Sequence, residues 1–351
     1  MQLYNKLLEE DLRNVLKHTE ELWSEVRDKT IFITGGTGFF GKWLLESFSF
    51  INHELRLNSK MIVLSRNPEG FLSEYPYYHQ PRAFGFLKGD VRTFRYPEEE
   101  IQYIIHAGTS ASDKLKSEDP LLMYDTIIDG TRNMLNLAKE KNVKAFLFTS
   151  SGAVYGKQPA ELTHIPEDYR GSPDHLNTQS AYGEGKRRAE LLCSVYSNQF
   201  QVPVKIARCF AFVGPYLPLD KHFAVGNFIL NALRDENIVI KGDGTPYRSY
   251  LYAADLATWL WTILFRGRVC YPYNVGSEEC HSIKEIAYKV SLLSSTKTNI
   301  VIQKNSEERF LSERYIPSTS RAKNELKLRM STNLDDAITR TLAYYSLFKI
   351  N

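Results

Sequence analysis

The chain has 351 residues, of which 43% are apolar, so it can bury one large core or two ordinary ones. Its 44 basic and 41 acidic side chains nearly balance at a formal net charge of +3, which argues against a dedicated nucleic-acid binder. No window approaches the roughly 20 apolar residues of a membrane span, and the charged N-terminus lacks a signal-peptide core. A cytoplasmic protein without membrane contact is therefore expected.

The predicted elements begin with an N-terminal helical extension over residues 1–27, where apolar residues recur at helical spacing. We expect it to pack on its own chain, with a subunit contact as the alternative. Short apolar runs then alternate with helical stretches, which predicts βαβ units in a doubly wound parallel α/β sheet of the Rossmann type. The predicted strands are 30–34, 61–65, 85–91, 103–108, 144–151 and 204–214, and the predicted helices are 41–51, 125–142 and 182–200.

The pattern also predicts the domain organisation. A dinucleotide-binding domain is expected over residues 28–210, together with about 249–277. After Pro215 and Pro218 the alternation loosens, which indicates a smaller C-terminal α/β substrate-binding lobe over 211–248 and 278–351. The four cysteines form no CxxC pair and match no zinc spacing, so reduced thiols and no metal site are expected.

The stretch TGGTGFFG, residues 34–41, joins the first predicted strand to the first predicted helix. Backbone N–H groups point outward at such a turn, and the helix dipole favours negative charge there, so the turn can hold a phosphate. Glycine permits the sharp turn and the close approach of a pyrophosphate. Gly35, Gly38 and Gly41 give GxxGxxG rather than GxGxxG, but their place between strand and helix predicts dinucleotide binding.

The end of the second strand bears on the choice of dinucleotide. An acidic residue there would bind the ribose 2′-hydroxyl and select NAD. This chain has Ser65 and Arg66 instead, and Arg66 could grip a 2′-phosphate, although it could also be a solvated surface residue. NAD(P) is therefore predicted, with NADP slightly favoured. Asp90, after the third strand, could contact the adenine or simply belong to a turn.

Tyr182 and Lys186 form a second motif, because residues four apart on a helix share one face. A free phenol has a pKa near 10, but a neighbouring ammonium and an oxidised nicotinamide both favour the phenolate. A phenolate could take a hydroxyl proton while the hydride passes to the nicotinamide. Ser150 and Ser151 end a predicted strand nearby, where a hydroxyl could bridge Tyr182 and the substrate or simply cap the strand.

Five motifs occur in the order and spacing of the extended short-chain dehydrogenases/reductases: TGGTGFFG, SSGAVYG, YGEGK, FVGP and GDGTPYRSY. More narrowly, the chain resembles the nucleotide-sugar epimerase/dehydratase branch of that family. The resemblance implies Tyr182 as the catalytic base, Lys186 as its partner and a ligand of the nicotinamide ribose, and Ser151 as the strand-end hydroxyl. The other cofactor contacts expected in this frame are Thr37, Phe39, Phe40, Val91, Ala107, Gly108 and Thr126.

The sequence departs from this family at the two positions after Ser151. Glucose-type 4,6-dehydratases carry an Asp-Glu pair there, and related decarboxylases keep the Glu, whereas this chain has Gly152 and Ala153. The departure favours 4-epimerisation or 4-keto redox chemistry. Dehydration stays open if Glu184 carries the proton. A UDP-glucuronate-type decarboxylase stays open because a β-keto acid loses CO₂ without an acid/base pair. A non-catalytic NAD(P)-sensing protein is the alternative of another class.

The resemblance also implies a nucleotide-diphosphate sugar as the substrate. Asn227, Arg248 and Arg314 match residues that contact the diphosphate, and an arginine fork suits phosphate oxygens, although either arginine could be a surface ion pair. Ser110 and Ser112 are expected to line the sugar pocket. A homodimer through the helices at 125–142 and 182–200 is expected by the same resemblance.

Overall fold

The computed structural model describes residues 5–108, 119–221, 223–296, 298–304 and 312–348. The helices are α1 Glu9–Thr19, α2 Phe39–Glu54, α3 Pro68–Glu74, α4 Pro120–Glu140, α5 Ala181–Phe200, α6 Ala224–Leu233, α7 Ala253–Arg266, α8 Ile283–Leu293, α9 Ser320–Leu326 and α10 Leu334–Ser346. The strands are β1 Thr30–Thr34, β2 Lys60–Ser65, β3 Phe84–Lys88, β4 Tyr103–His106, β5 Ala145–Ser151, β6 Val204–Cys209, β7 Phe212–Val213, β8 Ile238–Ile240, β9 Tyr247–Arg248, β10 Leu251–Tyr252, β11 Pro272–Val275, β12 His281–Ser282, β13 Ile300–Ile302 and β14 Arg314–Tyr315.

Within the described residues, a seven-stranded sheet has the order β11-β6-β5-β4-β1-β2-β3. β1 pairs in parallel with both β2 and β4, β2 with β3, and β4 with β5. β5 is buried along its whole length, as expected for a parallel strand covered on both faces. The strand order reverses between β1 and β4, and an open sheet of this kind binds its ligand beside the carboxyl ends of such strands. The predicted Rossmann architecture is confirmed.

The predicted strand over residues 204–214 is divided in the structure. β6 ends at Cys209, and β7 pairs in parallel with β10 in a separate two-stranded sheet. Between the two strands, the Phe210 amide donates to the Val275 carbonyl at 3.0 Å. The prediction of one strand was wrong because an apolar run continues through both strands and hides the change of partner.

The chain folds as two compact units. The first comprises Met1–Val154, Asp174–Arg208 and Ala257–Tyr273, and the second comprises Tyr155–Pro173, Cys209–Leu256 and Asn274–Asn351. The first unit takes in the N-terminal extension, and the second takes in residues 155–173, which lie inside the predicted dinucleotide-binding domain. The assignment of cofactor and substrate binding to separate domains stays a prediction.

The N-terminal extension packs inside the first unit. Trp23 is fully buried, and its Nε1–H donates to the Thr19 hydroxyl at 2.9 Å. Its ring lies edge-on to that of Trp261, with centroids 4.8 Å apart. The hydroxyl of Tyr103, the first residue of β4, donates to the Glu25 carbonyl at 3.2 Å. These contacts make the extension part of the core of its own chain.

Two kinds of feature are absent from the described residues. No helix in that part of the chain combines the length and apolar character that crossing a bilayer requires. The same residues include no group of three or more His, Cys, Asp or Glu side chains placed to ligate a metal.

Candidate functional site

The glycine-rich turn between β1 and α2 is shaped by very close backbone contacts. Gly35 has a φ of +72°, and a Cβ there would lie 2.5 Å from the Ala107 carbonyl oxygen. A Cβ on Gly41 would lie 2.1 Å from the Gly35 carbonyl oxygen, so α2 can approach the turn only with glycine at this position. Gly38 caps α2 with an ordinary extended backbone (φ −86°). A Cβ there would meet the Gly35 oxygen at 3.3 Å, and apart from its chain neighbours no other atom of the described residues lies within 4 Å.

This difference separates two roles for the glycines. Gly35 and Gly41 are required by the protein's own backbone, whereas the described residues leave the space in front of Gly38 open. An open space before a helix N-terminus is what a pyrophosphate needs in order to reach backbone N–H groups. The residues present therefore fit a dinucleotide, with Gly38 and the start of α2 as its cradle.

Buried hydrogen bonds fasten the ends of β1 and β4 on the other side of this turn. The Gly108 amide donates to the Thr34 hydroxyl at 3.0 Å, and that hydroxyl lies 2.7 Å from His106 Nδ1. His106 Nε2 lies 3.2 Å from the Thr131 hydroxyl on α4. Each ring nitrogen of His106 thus has a hydroxyl group within hydrogen-bond distance. Burial, with a smaller contribution from the positive charge of Lys186, lowers the pKa of His106 to about 3.

The residues predicted to select the cofactor follow β2 and β3. Ser65 ends β2 and accepts a hydrogen bond from the Asn67 amide at 3.2 Å, and Arg66 is exposed. Asp90 forms an ion pair with Arg92, whose Nε lies 2.9 Å from Oδ1. Its hydrogen bond with Arg92 is the main cause that lowers the pKa of Asp90, and Arg66 contributes a smaller part of the same shift. Asp90 is thus held in a turn with two guanidinium groups in electrostatic reach.

The other residues predicted to contact the cofactor lie on the elements around the carboxyl ends of the parallel strands. Thr37 lies in the turn, Phe39 and Phe40 begin α2, and Ala107 and Gly108 follow β4. Val91 follows β3 beside α4, since a Cβ on Gly130 would lie 2.9 Å from Val91 Cγ1, and Thr126 lies on α4 itself. Their contacts with a cofactor stay predictions. Ser110 and Ser112, predicted to line the sugar pocket, lie outside the described residues.

The predicted tyrosine–lysine pair lies on the first turns of α5. Lys186 is almost completely buried; its Nζ donates to the Thr149 carbonyl at 2.7 Å and lies 4.8 Å from the centre of the Phe148 ring. Tyr182, one helical turn earlier, packs partly buried against the apolar cluster around the sheet. The lysine thereby ties the tyrosine's helix to the end of β5.

The two serines at the end of β5 have different partners. The Ser151 oxygen accepts a hydrogen bond from the Ala153 amide at 3.2 Å, at the start of the short 3-10 turn Gly152–Tyr155. Ser150 donates to Glu190 on α5 at 2.5 Å, and Glu190 also pairs with Arg208 at the end of β6. Of the two hydroxyls, that of Ser150 is committed to a buried carboxylate, which supports Ser151 as the one for a substrate. Sequence reasoning missed Glu190 and Arg208.

Glu184 does not share the face of α5 that carries the pair. It comes two residues after Tyr182, which corresponds to about 200° around an α-helix. Its carboxylate lies 3.7 Å from the Arg187 guanidinium, on the part-exposed side of the helix. The geometry does not bring Glu184 to Tyr182, and its catalytic assignment stays a prediction.

In the second unit, the two predicted arginines lie on neighbouring strands. β14 pairs in parallel with β9, with Arg314 opposite Tyr247. The Arg314 guanidinium lies over the Tyr247 ring at 4.7 Å and donates to Cys280 Sγ at 3.6 Å. Arg248 is 3.8 Å from Glu313 and donates to the Tyr247 carbonyl at 2.9 Å. In this register Arg314 shares a face of the small sheet with Tyr247, and Arg248, the next residue, is directed to the opposite face. The structure therefore does not bring the two guanidinium groups together, and their joint contact with a diphosphate stays a prediction. The predicted Asn227 lies on α6 of the same unit.

Comparisons with known proteins give consistent results. The model of the NAD dependent epimerase/dehydratase family matches residues 31–276. UDP-glucuronic acid decarboxylase 1 of Danio rerio is 30% identical over 324 residues, which cover 92% of this chain and 74% of that protein. UDP-glucuronic acid decarboxylase 6 of Arabidopsis thaliana is 31% identical over 281 residues, or 79% of this chain and 78% of that protein.

Among solved structures, a UDP-glucuronic acid 4-epimerase from Bacillus cereus, in complex with UDP-glucuronic acid and NAD, superposes with a TM-score of 0.76. It is 22% identical, and the match covers 91% of this chain and 99% of that one. A UDP-glucose 4-epimerase from Thermotoga maritima gives a TM-score of 0.75 at 21% identity, covering 90% and 98%. These likenesses establish the fold. With the family match and the two decarboxylase relatives, they show that the chain belongs to the NAD dependent epimerase/dehydratase family.

Proposed function

We propose that the protein oxidises the C4 hydroxyl of a nucleotide-activated sugar with Tyr182 as the base, and that the reaction ends in 4-epimerisation or 4-keto redox chemistry. The observation that carries the proposal is the contact of Lys186 with the end of β5. This contact holds the Tyr182–Lys186 face of α5 against the strand that ends in Ser151. A proton acceptor, a cation and a hydroxyl are thus gathered beside the dinucleotide edge of the sheet.

Each of these residues has a defined task. The Lys186 ammonium favours the phenolate form of Tyr182, one helical turn away, and the phenolate accepts the C4 hydroxyl proton. The Ser151 hydroxyl holds the same substrate oxygen in place. The nicotinamide, when bound, accepts the C4 hydride and can return it. For epimerisation, the 4-keto sugar rotates so that the hydride returns to its opposite face, while Tyr182 gives the proton back.

The residues after Ser151 support an outcome that needs no second proton transfer. Gly152 and Ala153 carry no side chain that can remove a proton at C5 or protonate a leaving C6 hydroxyl. Glu184, on another face of α5, is held by Arg187. Dehydration requires both of those proton transfers, whereas epimerisation and ketone reduction require neither.

Decarboxylation of UDP-glucuronic acid is the second candidate, favoured by the relatives of about 30% identity over most of the chain. Oxidation at C4 would make the C6 carboxylate a β-keto acid, whose C5–C6 bond breaks with release of CO₂. The electron pair left at C5 forms an enol with the C4 carbonyl, and a proton must then be added at C5. The return of the hydride to C4 completes the reaction, whose net change is the loss of CO₂. The breaking of the C5–C6 bond does not require the acid/base pair that glucose-type dehydratases carry after the serine.

We further propose NADP as the slightly preferred cofactor, since no carboxylate ends β2 and the exposed Arg66 follows it.

We also propose a homodimer through α4 and α5. Leu191 is 58% exposed and Val195 37%, and they lie one turn apart on α5. The four cysteines, all of them described residues, form no disulfide with one another, which supports a reducing, cytoplasmic location. Calorimetry with NAD and NADP tests the cofactor preference, sedimentation velocity tests the dimer, and imaging of the tagged protein tests the location.

The decisive experiment offers UDP-, GDP-, CDP- and dTDP-sugars, UDP-glucuronic acid among them, to the full chain with each cofactor. Absorbance at about 340 nm follows the nicotinamide, and mass spectrometry and NMR identify the products. An isomer or a 4-keto sugar supports the proposal, loss of CO₂ selects the decarboxylase, and loss of water restores the dehydratase. Tyr182→Phe should abolish the reaction, and the control Tyr288→Phe, at a side chain 55% exposed, should leave it intact. No change with any sugar would instead favour a sensing protein.

A further inference from the structure

One face of α5 carries three functional side chains at a spacing of four residues. Tyr182, Lys186 and Glu190 lie within about 80° of one another around the helix axis. Two of them bind consecutive residues of β5. Lys186 Nζ donates to the Thr149 carbonyl at 2.7 Å, and Glu190 Oε1 accepts from the Ser150 hydroxyl at 2.5 Å. The next residue of β5 is Ser151, and the next residue on this face towards the N-terminus of the helix is Tyr182.

A guanidinium group holds the Glu190 carboxylate from the neighbouring strand. Arg208 Nε donates to Oε1 at 3.0 Å, and Arg208 Nη2 donates to Oε2 at 2.7 Å. Both side chains are largely buried, with 14% of Arg208 and 13% of Glu190 exposed. With Ser150, the carboxylate thus accepts three hydrogen bonds from two different strands. This arrangement joins α5, β5 and β6 at a single point.

Stability gives little reason for a buried pair of this kind. Removing two charges from water is costly, and apolar replacements of similar volume often leave stability unchanged or improved. The geometry of the pair is strict, however, because a planar guanidinium fork meets a carboxylate through two parallel hydrogen bonds. A forked pair therefore fixes the relative positions of the elements that carry it more tightly than apolar packing of the same area.

We propose that Glu190 and Arg208 are positioning residues, which set the place of α5 along β5 and thereby the approach of Ser151 to Tyr182. This inference rests on the proposed function. Glu190 and Tyr182 lie on one helix, and Ser150 and Ser151 are consecutive in one strand. A displacement at the Glu190–Ser150 contact is therefore transmitted to the Tyr182–Ser151 pair. Neither Glu190 nor Arg208 is assigned a contact with substrate or cofactor.

The main test is the double variant Glu190→Gln/Arg208→Met. The amide oxygen of the new glutamine side chain can still accept a hydrogen bond from Ser150. The two hydrogen bonds between Arg208 and the carboxylate are lost. Because both charges are removed together, no unpaired charge remains in the interior. We expect kcat to fall about 10- to 100-fold, since a misplacement of about 1 Å near reacting groups can cost about 100-fold. KM for the nucleotide sugar and the dissociation constant of the cofactor should change less than about threefold, because no binding contact is removed. The thermal midpoint should stay close to that of the parent.

A second variant, Ser150→Ala, removes one hydroxyl and leaves the ion pair in place. It should lower kcat about fivefold, the equivalent of one ordinary hydrogen bond. The control is Asp335→Asn/Lys289→Met, which removes one acid and one base from an exposed pair (2.6 Å) in the second unit. It should leave kcat and KM unchanged, because exposed pairs contribute little.

All variants are assayed with UDP-glucuronic acid first and then with any other nucleotide sugar that the panel identifies. A parental kcat in the double variant overturns the positioning role, and so does a loss confined to KM. If the double variant does not fold, Ser150→Ala decides, and a parental kcat there overturns the inference. Tyr182→Phe is measured beside them. If Tyr182→Phe stays active, or the parent turns over no sugar, the proposed function fails and this inference with it. An inactive Tyr182→Phe beside a fully active double variant refutes the positioning role alone.

Discussion

The glycine turn yields the sharpest prediction, because Gly38 and Gly41 are three residues apart and yet constrained to very different degrees by the Gly35 oxygen. Gly38→Ala adds a methyl group to a position with an ordinary φ of −86°, where the Gly35 oxygen at 3.3 Å is the one close atom that the described residues supply beyond the adjacent residues. That contact requires a shift of a few tenths of an ångström. Gly41→Ala adds a methyl group 2.1 Å from the same oxygen and 2.4 Å from Gly36 Cα. No side-chain movement can relieve that clash, because both atoms belong to the backbone.

The magnitudes follow from these distances. Gly38→Ala should cost up to about 1 kcal/mol of folding free energy, since alanine is a poorer N-cap than glycine. Its methyl group occupies the space that the pyrophosphate needs in order to reach the backbone. A hydrogen bond to a charged group contributes about 1.5–3 kcal/mol, so losing one should weaken cofactor binding about 10- to 100-fold. Gly41→Ala should cost about 3 kcal/mol or more, because it overpacks a rigid contact.

Calorimetric titration with NAD and NADP measures the first effect, and urea unfolding without cofactor measures the second. We expect Gly38→Ala to lose affinity at nearly parental stability, and Gly41→Ala to lose stability before any binding is measured. Parental cofactor affinity in Gly38→Ala would refute the reasoning, because it would mean that no part of the dinucleotide approaches the N-terminus of α2. A large loss of stability in Gly38→Ala would show that the open space is filled by the protein itself.

Two further predictions concern the core of the first unit. His106 has a pKa of about 3 in the folded chain against about 6.5 when unfolded. The unfolded chain therefore binds more protons between these values, and stability should fall by about 1.4 kcal/mol per pH unit as the pH drops below about 6.5. His106→Gln should reduce the loss between pH 7 and pH 5 by about 2 kcal/mol in urea unfolding, and equal losses in both proteins would contradict this assignment. Trp23→Ala should cost about 3–5 kcal/mol, because it empties a fully buried site against Trp261, whereas Leu7→Ala, at a side chain 54% exposed, should cost little. A small effect of Trp23→Ala would mean that the extension is dispensable for the fold.

The amino-acid sequence by itself determined the α/β class, the glycine turn and the tyrosine–lysine pair. These features are local: a strand, a turn and a helix N-terminus lie within about a dozen residues, and Tyr182 and Lys186 are one helical turn apart. The alternation of short apolar runs with helical periodicity also predicted a parallel sheet, since strands covered on both faces have apolar residues at nearly every position. Even Glu190 follows the same spacing of four, which was a signal that could have been used.

The tertiary structure decided which residues meet across the sheet. Ser150 and Ser151 are the same residue type, and in the sequence only the family resemblance favoured Ser151. The contact of Ser150 with Glu190, 40 residues away, supplies a physical difference between them. His106 reaches Thr34 across 72 residues, and Arg208 reaches Glu190 from another strand. The division of residues 204–214 into two strands depends on their partners β10 and β11. The periodicity of apolar residues indicates which side of a helix or strand is buried. It does not indicate which other element covers that side, because strand order and long-range packing determine the partner.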